Sequence, residues 1–199
     1  MDVVIRTATS ADAAAIAEMM SRAFHDDPVM RWVVPRAARR PRRLRRLYEA
    51  IVRYEGVPLG ATDVAIFAGA VVGAAVWRPP RRSMTPWQAV RFALSCGWAL
   101  GTDIPRMTAM GRSVFRGYPR QPHWYLQLLA VDPDTQGSGV GTELVRRGLE
   151  RVDRDGAVAY LETTQGNLAF YDRLGFPAVG EIAMPRGCAS QFRLLRSAR

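Results

Sequence analysis

A chain of 199 residues with 48% hydrophobic and 23% charged residues has the size and composition of one globular domain with its own core. Its net charge of +10 comes from 28 basic residues, every one an arginine. The absence of lysine excludes a G-K-[ST] phosphate loop and a lysine Schiff base, while surface arginine favours polyanions such as nucleic acid, anionic membrane or a phosphorylated cofactor.

The start of the chain carries Asp2, Arg6 and Asp12 and no apolar signal-type core. Residues 3–6 read as a short first strand. Thr9-Ser10-Ala11-Asp12 then fits a capping box, and Ile16, Met19, Met20 and Ala23 continue at helical spacing to about Phe24. His25-Asp26-Asp27-Pro28 breaks that helix. Seven arginines between Arg36 and Arg46, with Leu44, Leu47 and Ile51 at helical spacing, predict a second helix whose simplest reading is a solvated basic face. Recognition of an acidic acceptor and contact with nucleic acid are the other readings of that face. Gly56-Val57-Pro58 closes the helix.

Residues 62–78 read as a hairpin turning at Ala68-Gly69-Ala70. Its apolar run, Val64 to Trp77, is shorter than the roughly 20 residues of a membrane span. Pro79-Pro80 stops it. Residues 86–116 read as two helices broken near Gly101. Met84, Trp87, Phe92, Trp98, Met107 and Met110 make this stretch bulky and apolar, which fits internal packing first and a substrate-facing wall second. Residues 123–131 form the clearest strand. A helix over about 139–153, a strand over 158–162, a short helix over 167–174 ended by Gly175, and strands over 177–183 and 190–195 complete the chain. This alternation predicts one α/β domain over residues 1–199, with a helical insertion at about 80–120.

Cys96, Cys188, His25 and His123 have no metal-type spacing, so no metal is expected, and free thiols fit a reducing cytoplasm.

The stretch richest in chemistry is Leu128-Leu129-Ala130-Val131-Asp132-Pro133-Asp134-Thr135-Gln136-Gly137-Ser138-Gly139-Val140-Gly141-Thr142. An apolar strand runs into three alternating glycines and then a helix. Glycines let a backbone approach a ligand closely, and a helix start offers unpaired amides, so the turn suits phosphate. The helix dipole adds only about 0.3–1 kcal/mol, which leaves most of the affinity to the amides. Thr142 stands where the dinucleotide fingerprint G-x-G-x-x-G needs glycine, and no second βαβ unit follows. Close helix–strand packing is the purely structural reading of the same glycines.

Gln136-x-x-Gly139-x-Gly141 matches the Q/R-x-x-G-x-G/A signature of the GNAT acyltransferase superfamily. Tyr160-Leu161-Glu162-Thr163-Thr164, Asn167 and Phe170-Tyr171-Asp172-Arg173-Leu174-Gly175-Phe176 follow in that family's order. Trp124 to Leu126, the glycine turn, the L-E-T segment and N-L-x-F-Y-x-R-L-G-F together resemble the group of puromycin N-acetyltransferases and related actinobacterial proteins.

The resemblance implies a single GNAT-like domain: a mixed, mostly antiparallel central sheet, a parallel strand pair splayed around the cofactor, and helices on both faces. It implies acetyl-coenzyme A as co-substrate. Leu129, Ala130 and Val131 would border the pantetheine arm, the amides of Gln136, Gly137, Ser138, Gly139, Val140, Gly141 and Thr142 would hold the pyrophosphate, and Asn167 and Phe170 would flank the cofactor. Tyr171 is implied as general acid and Glu162 as general base. Asp26 and Asp27 border the acceptor site and are alternative bases. His123 reads as a strand residue. The resulting expectation is a cytoplasmic N-acetyltransferase, monomer or homodimer, acting on a primary amine of a small molecule, with neither membrane nor nucleic acid as partner. A non-catalytic acyl-CoA-binding module with an Arg-rich partner helix is the second reading. Nucleic-acid binding is suggested by charge alone, without a supporting motif.

Overall fold

The computed structural model describes residues 2–198. In chain order the elements are β1 (Val4–Thr7), α1 (Ala13–Ala23), α2 (Pro28–Val33), α3 (Arg40–Ile51), β2 (Thr62–Phe67), β3 (Ala70–Arg78), α4 (Pro86–Leu100), α5 (Ile104–Arg116), β4 (His123–Val131), α6 (Val140–Arg154), β5 (Val158–Thr164), α7 (Leu168–Asp172), β6 (Ala178–Ile182) and β7 (Gln191–Arg196). The strands make one sheet in the order β1-β2-β3-β4-β5-β7-β6. Every pairing is antiparallel except β4 with β5.

Period-two alternation sends side chains to two separate cores. Val64, Ala74, Val76 and Ala130 join Ile16, Met20, Leu44 and Tyr48 under α1 to α4. Ala65, Ala75, Trp77 and Leu161 join Leu144, Val145, Leu149 and Phe176 under α6 and the segment after α7. Helices therefore cover both faces, as the resemblance implied.

Two glycines set how closely α6 lies on the sheet. A Cβ on Gly73 of β3 would stand 2.9 Å from Val140 Cγ1, and a Cβ on Gly148 of α6 would stand 2.2 Å from the Trp77 indole. Trp77 is fully buried and meets Trp124 edge-on at 6.5 Å. This close crossing fixes the start of α6 next to the end of β4.

Three expectations change. The breaker at residues 25–28 opens a further short helix: Asp27 caps α2 by accepting from the Met30 amide at 2.8 Å, with Pro28 at its first position. The basic face of α3 is only partly solvated. Arg40 is buried and donates to the carbonyls of Val34, His25 and Pro35 at 2.9–3.2 Å, Arg43 pairs with Asp103, and Arg46 lies 3.4 Å from the Trp98 ring centre, while Arg36, Arg39 and Arg42 stay exposed. Finally, the bulky residues of 84–110 divide. Phe92, Met107 and Met110 pack on the core, but Trp87 and Trp98 are 69% and 68% exposed.

Gly148→Ala tests the α6 crossing, because two effects oppose each other there. Helix propensity favours alanine by about 1 kcal/mol. Overpacking against a buried indole costs about 1–3 kcal/mol, and each kcal/mol lowers Tm by roughly 2–4 °C at this size. A net fall in Tm is expected by calorimetry, and a rise would show that the crossing is loose.

Candidate active site

The parallel pairing of β4 and β5 lasts three residues, His123↔Val158 to Tyr125↔Tyr160. Beyond it β4 pairs only with β3, and β5 only with β7. The divergence has a local cause. Val76 pairs with Leu128 and Trp77 with Leu126, so Gln127 is an extra residue in β4. A bulge of this kind bends its strand and increases the twist. It also shifts the side-chain phase: Trp124 and Leu126 face the α6 core, as do Leu129 and Val131, whereas Leu128 and Ala130 face the α1–α3 core. Gln127 itself donates to Glu55 Oε2 at 3.0 Å, which anchors the bulge to the segment after α3. The result is an open wedge between two strand edges whose amides and carbonyls face one another unpaired.

At the wide end lies the glycine turn. Gly137 and Gly139 sit at φ of 81° and 89°, where a side chain is disfavoured. A Cβ on Gly141 would come within 3.3 Å of Val131 Cγ2 and 3.7 Å of Phe170 Cζ, so the turn packs directly on the end of β4 and the start of α7. Ser138 closes the turn by donating to the Thr135 carbonyl at 2.6 Å, and Gln136 Nε2 donates to the Val131 carbonyl at 3.3 Å. The first intrahelical bond of α6 is from the Glu143 amide to the Gly139 carbonyl. The amides of Val140, Gly141 and Thr142 precede it and have no intrahelical acceptor. An anion at the mouth of the wedge would meet them and the positive end of a 15-residue helix. Exposed Asn167 ends the short turn between β5 and α7, and its side chain makes no capping hydrogen bond.

The narrow end is lined by a different chemistry. Tyr160 and Glu162 alternate on one face of β5, opposite to Ala159 and Leu161. Around them stand Tyr118, from the loop after α5, and Tyr125. Tyr118 meets Tyr125 and Tyr160 edge-on at 5.1 and 5.4 Å, and His123 stacks edge-on with Tyr118 at 5.6 Å. Burial pushes the Glu162 carboxyl up to about 7; the Tyr125 and Tyr160 hydroxyls oppose that rise only in part. Glu162 Oε1 and the Tyr160 hydroxyl have no hydrogen bond of normal geometry. Arg193 is the cross-strand partner of Glu162 on β7 but turns its guanidinium toward Gly180. The nearby Glu55 differs: it is buried but held by Arg78 at 3.0 Å and by Gln127. Of these two carboxylates, Glu162 is the one with free proton-accepting capacity.

The other expected residues separate. Tyr171 is buried in the α6 core, edge-on to Phe170 at 4.9 Å, and burial pushes its phenol up. It belongs to the core on the α6 face of the sheet, whereas Glu162 lies on the opposite face of β5. Asp26 is exposed, 4.0 Å from His25, while Asp27 is engaged as the α2 cap and burial pushes its carboxyl up. The tyrosine cluster was missed in sequence. Its signal was the alternation of Tyr160 with Glu162, which places both on one face. Among the described residues no group of His, Cys, Asp and Glu could hold a metal ion, and no helix is long and apolar enough to cross a membrane.

The model of the Acetyltransferase (GNAT) family matches residues 23–176, more than half of the chain. A solved Corynebacterium glutamicum protein, described as histone acetyltransferase HPA2 and related acetyltransferase, is 29% identical. The match covers 100% of this chain and 98% of that one, with a TM-score of 0.72. A Brucella melitensis GNAT family acetyltransferase in complex with acetyl-CoA matches at 20% identity, 98% and 88% coverage and a TM-score of 0.53. Drosophila melanogaster polyamine N-acetyltransferase matches at 17% identity, 98% and 100% coverage and a TM-score of 0.60.

The raised Glu162 carboxyl has a consequence for stability. In the unfolded chain it ionises near 4.5; in the folded chain it stays protonated to about 7. Between these values the folded state holds the extra proton, so the contribution of Glu162 is fully present below 4.5 and is lost as pH rises through 7. The upper bound is about 3 kcal/mol. Glu162→Gln cannot ionise, so chemical denaturation at pH 5 and pH 8 should show a larger loss of stability in the wild type than in the variant. Equal losses would mean that the carboxyl titrates normally.

Proposed function

The chain belongs to the Acetyltransferase (GNAT) family, and from that membership we propose that it transfers acetyl from acetyl-coenzyme A to a primary amine of a small molecule by direct attack in a ternary complex. The observation that carries this reading is the wedge itself: free helix-start amides at its mouth, unpaired strand edges along it, and the under-hydrogen-bonded carboxylate of Glu162 beside its apex. These residues fit a nucleotide thioester. The diphosphate would lie on the amides of residues 136–142, the pantetheine arm would pair with the backbone of Leu129 to Val131 like an added strand, and Asn167 and Phe170 would flank it. The bound thioester supplies an activated acyl group, so no further activation of the carbonyl by a metal is required. Amine acceptors also occur among fold relatives, as in the Drosophila polyamine N-acetyltransferase.

Glu162 is the proposed general base. A carboxyl held near 7 is substantially ionised at neutral pH yet basic enough to take a proton from an ammonium or an attacking amine. The nearby hydroxyls of Tyr125 and Tyr160 favour its ionised form and so offset part of the effect of burial. Tyr171 is the proposed general acid. Burial keeps its phenol protonated, and the same dry surroundings make a departing thiolate more basic, so the phenol can donate its proton to sulfur. A backbone amide of β4 near Leu129 would stabilise the developing oxyanion. The alternative of a non-catalytic module needs a free basic face, and with Arg40, Arg43 and Arg46 engaged within the chain it is left with the exposed Arg36, Arg39 and Arg42.

A thiol-release assay with acetyl-coenzyme A and a library of primary amines tests the reading, and no release with any amine would overturn it. With an accepted amine, Tyr171→Phe should lower kcat about 100-fold or more while calorimetry shows coenzyme A affinity near that of the wild type. Unchanged turnover would remove Tyr171 from the mechanism. The wild-type kcat/KM should climb with pH and level off above about 7. In Glu162→Gln that limb should vanish together with most of the rate.

A further inference from the structure

Tyr118 and Tyr125 of the cluster beside Glu162 also line a cavity of about 320 Å³ that opens to solvent where β3 ends and β4 begins. Phe115, Tyr118 and Tyr125 line it with ring surface, and Arg78, Arg81, Arg82 and Arg120 line it with charge. No acidic residue lines it. Arg78 is already paired with Glu55, at 3.0 Å. Arg81, Arg82 and Arg120 are exposed, and none is within ion-pair distance of an acid among the described residues. Arg81 is held at φ 61°, a left-handed conformation that side chains other than glycine disfavour. Strained residues of this kind concentrate at binding sites. Three unneutralised guanidinium groups around an aromatic slot form a receptor for a flat molecule with a negative charge. Guanidinium matches carboxylate and phosphate oxygens in a planar, two-toothed geometry.

Taking as the base Glu162, which does not line the cavity itself but neighbours its wall residue Tyr125, we infer that the amine acceptor carries a planar ring and an anionic group, carboxylate or phosphate. The ring lies among Phe115, Tyr118 and Tyr125, the anion reaches Arg81, Arg82 and Arg120, and the amine points inward to Glu162. This inference rests on the transferase reading for the direction of the amine, but the cavity's preference for ring and anion can be measured without turnover.

Calorimetry on the chain saturated with free coenzyme A, which cannot transfer acetyl, provides that measurement. Four probes separate the contributions: 4-(aminomethyl)benzoate, 4-(aminomethyl)phenylphosphonate, 4-(aminomethyl)benzamide and trans-4-(aminomethyl)cyclohexanecarboxylate. At least one of the two anionic aromatic probes should bind about 10-fold or more tightly than the neutral benzamide, the usual range for a hydrogen bond to a charged group. The better of the two identifies carboxylate or phosphate as the favoured group. The cyclohexane acid should bind more weakly than the benzoate. The Arg81→Ala, Arg120→Ala double variant should reduce the affinity of the favoured anion to that of the benzamide, and Arg120→Lys should retain part of the preference. Equal affinities for the anionic and neutral aromatic probes would overturn the inference whatever the transferase assay shows. Thiol release from acetyl-coenzyme A with the same four amines reports separately on transfer.

Discussion

The extra residue in β4 is the constraint on which the rest of the structure depends. Without Gln127, β4 and β5 could continue as a regular parallel pair, and their edges would satisfy each other. With it, the pairing stops at Tyr125 and Tyr160, and two rows of backbone donors and acceptors are left facing across a gap. Unpaired strand edges inside a protein are costly unless something fills them. The fold supports the gap from both sides. Glu55 and Arg78 hold the bulge through the Gln127 amide, and the glycines at 73 and 148 let α6 lie against β3 so that its first turn points at the mouth of the wedge.

The same geometry divides the electrostatics. The mouth carries the positive end of α6, whereas the apex carries one carboxylate in a nest of phenols. A chain this rich in arginine could readily have neutralised Glu162. Instead its cross-strand arginine turns away, Glu55 takes Arg78, and Asp63 takes Arg147 and Arg151 at 3.1 and 2.5 Å. Around the aromatic cavity, Arg81, Arg82 and Arg120 have no acidic partner among the described residues. Charge in this protein is therefore distributed by site, and net charge alone says little about its partner.

Much of the fold was legible because it was written in local patterns. The capping box at Thr9 and Asp12, the helix break at Gly101, the hairpin turn at Ala68-Gly69 and the strand–glycine–helix run at 123–154 all have short-range causes, and each is found at or within a few residues of its predicted position. What was not legible depended on long-range pairing. A bulge at Gln127 is defined only against β3. The engagement of Arg40, Arg43 and Arg46 needs carbonyls, an acid and a ring from other segments. Tyr118 joins Tyr160 across more than forty residues of sequence. The exposed faces of Trp87 and Trp98 were invisible to a reading that treats bulky apolar residues as core.

In the proposed transferase, backbone groups of the wedge, rather than side chains, would receive the thioester nucleotide. Amide hydrogen exchange with and without saturating acetyl-coenzyme A tests it most directly. Slowed exchange is expected at the amides of residues 127–131 and 139–142, with little change in β1 and β2 at the far edge of the sheet. Saturation without added protection in those two segments would contradict it.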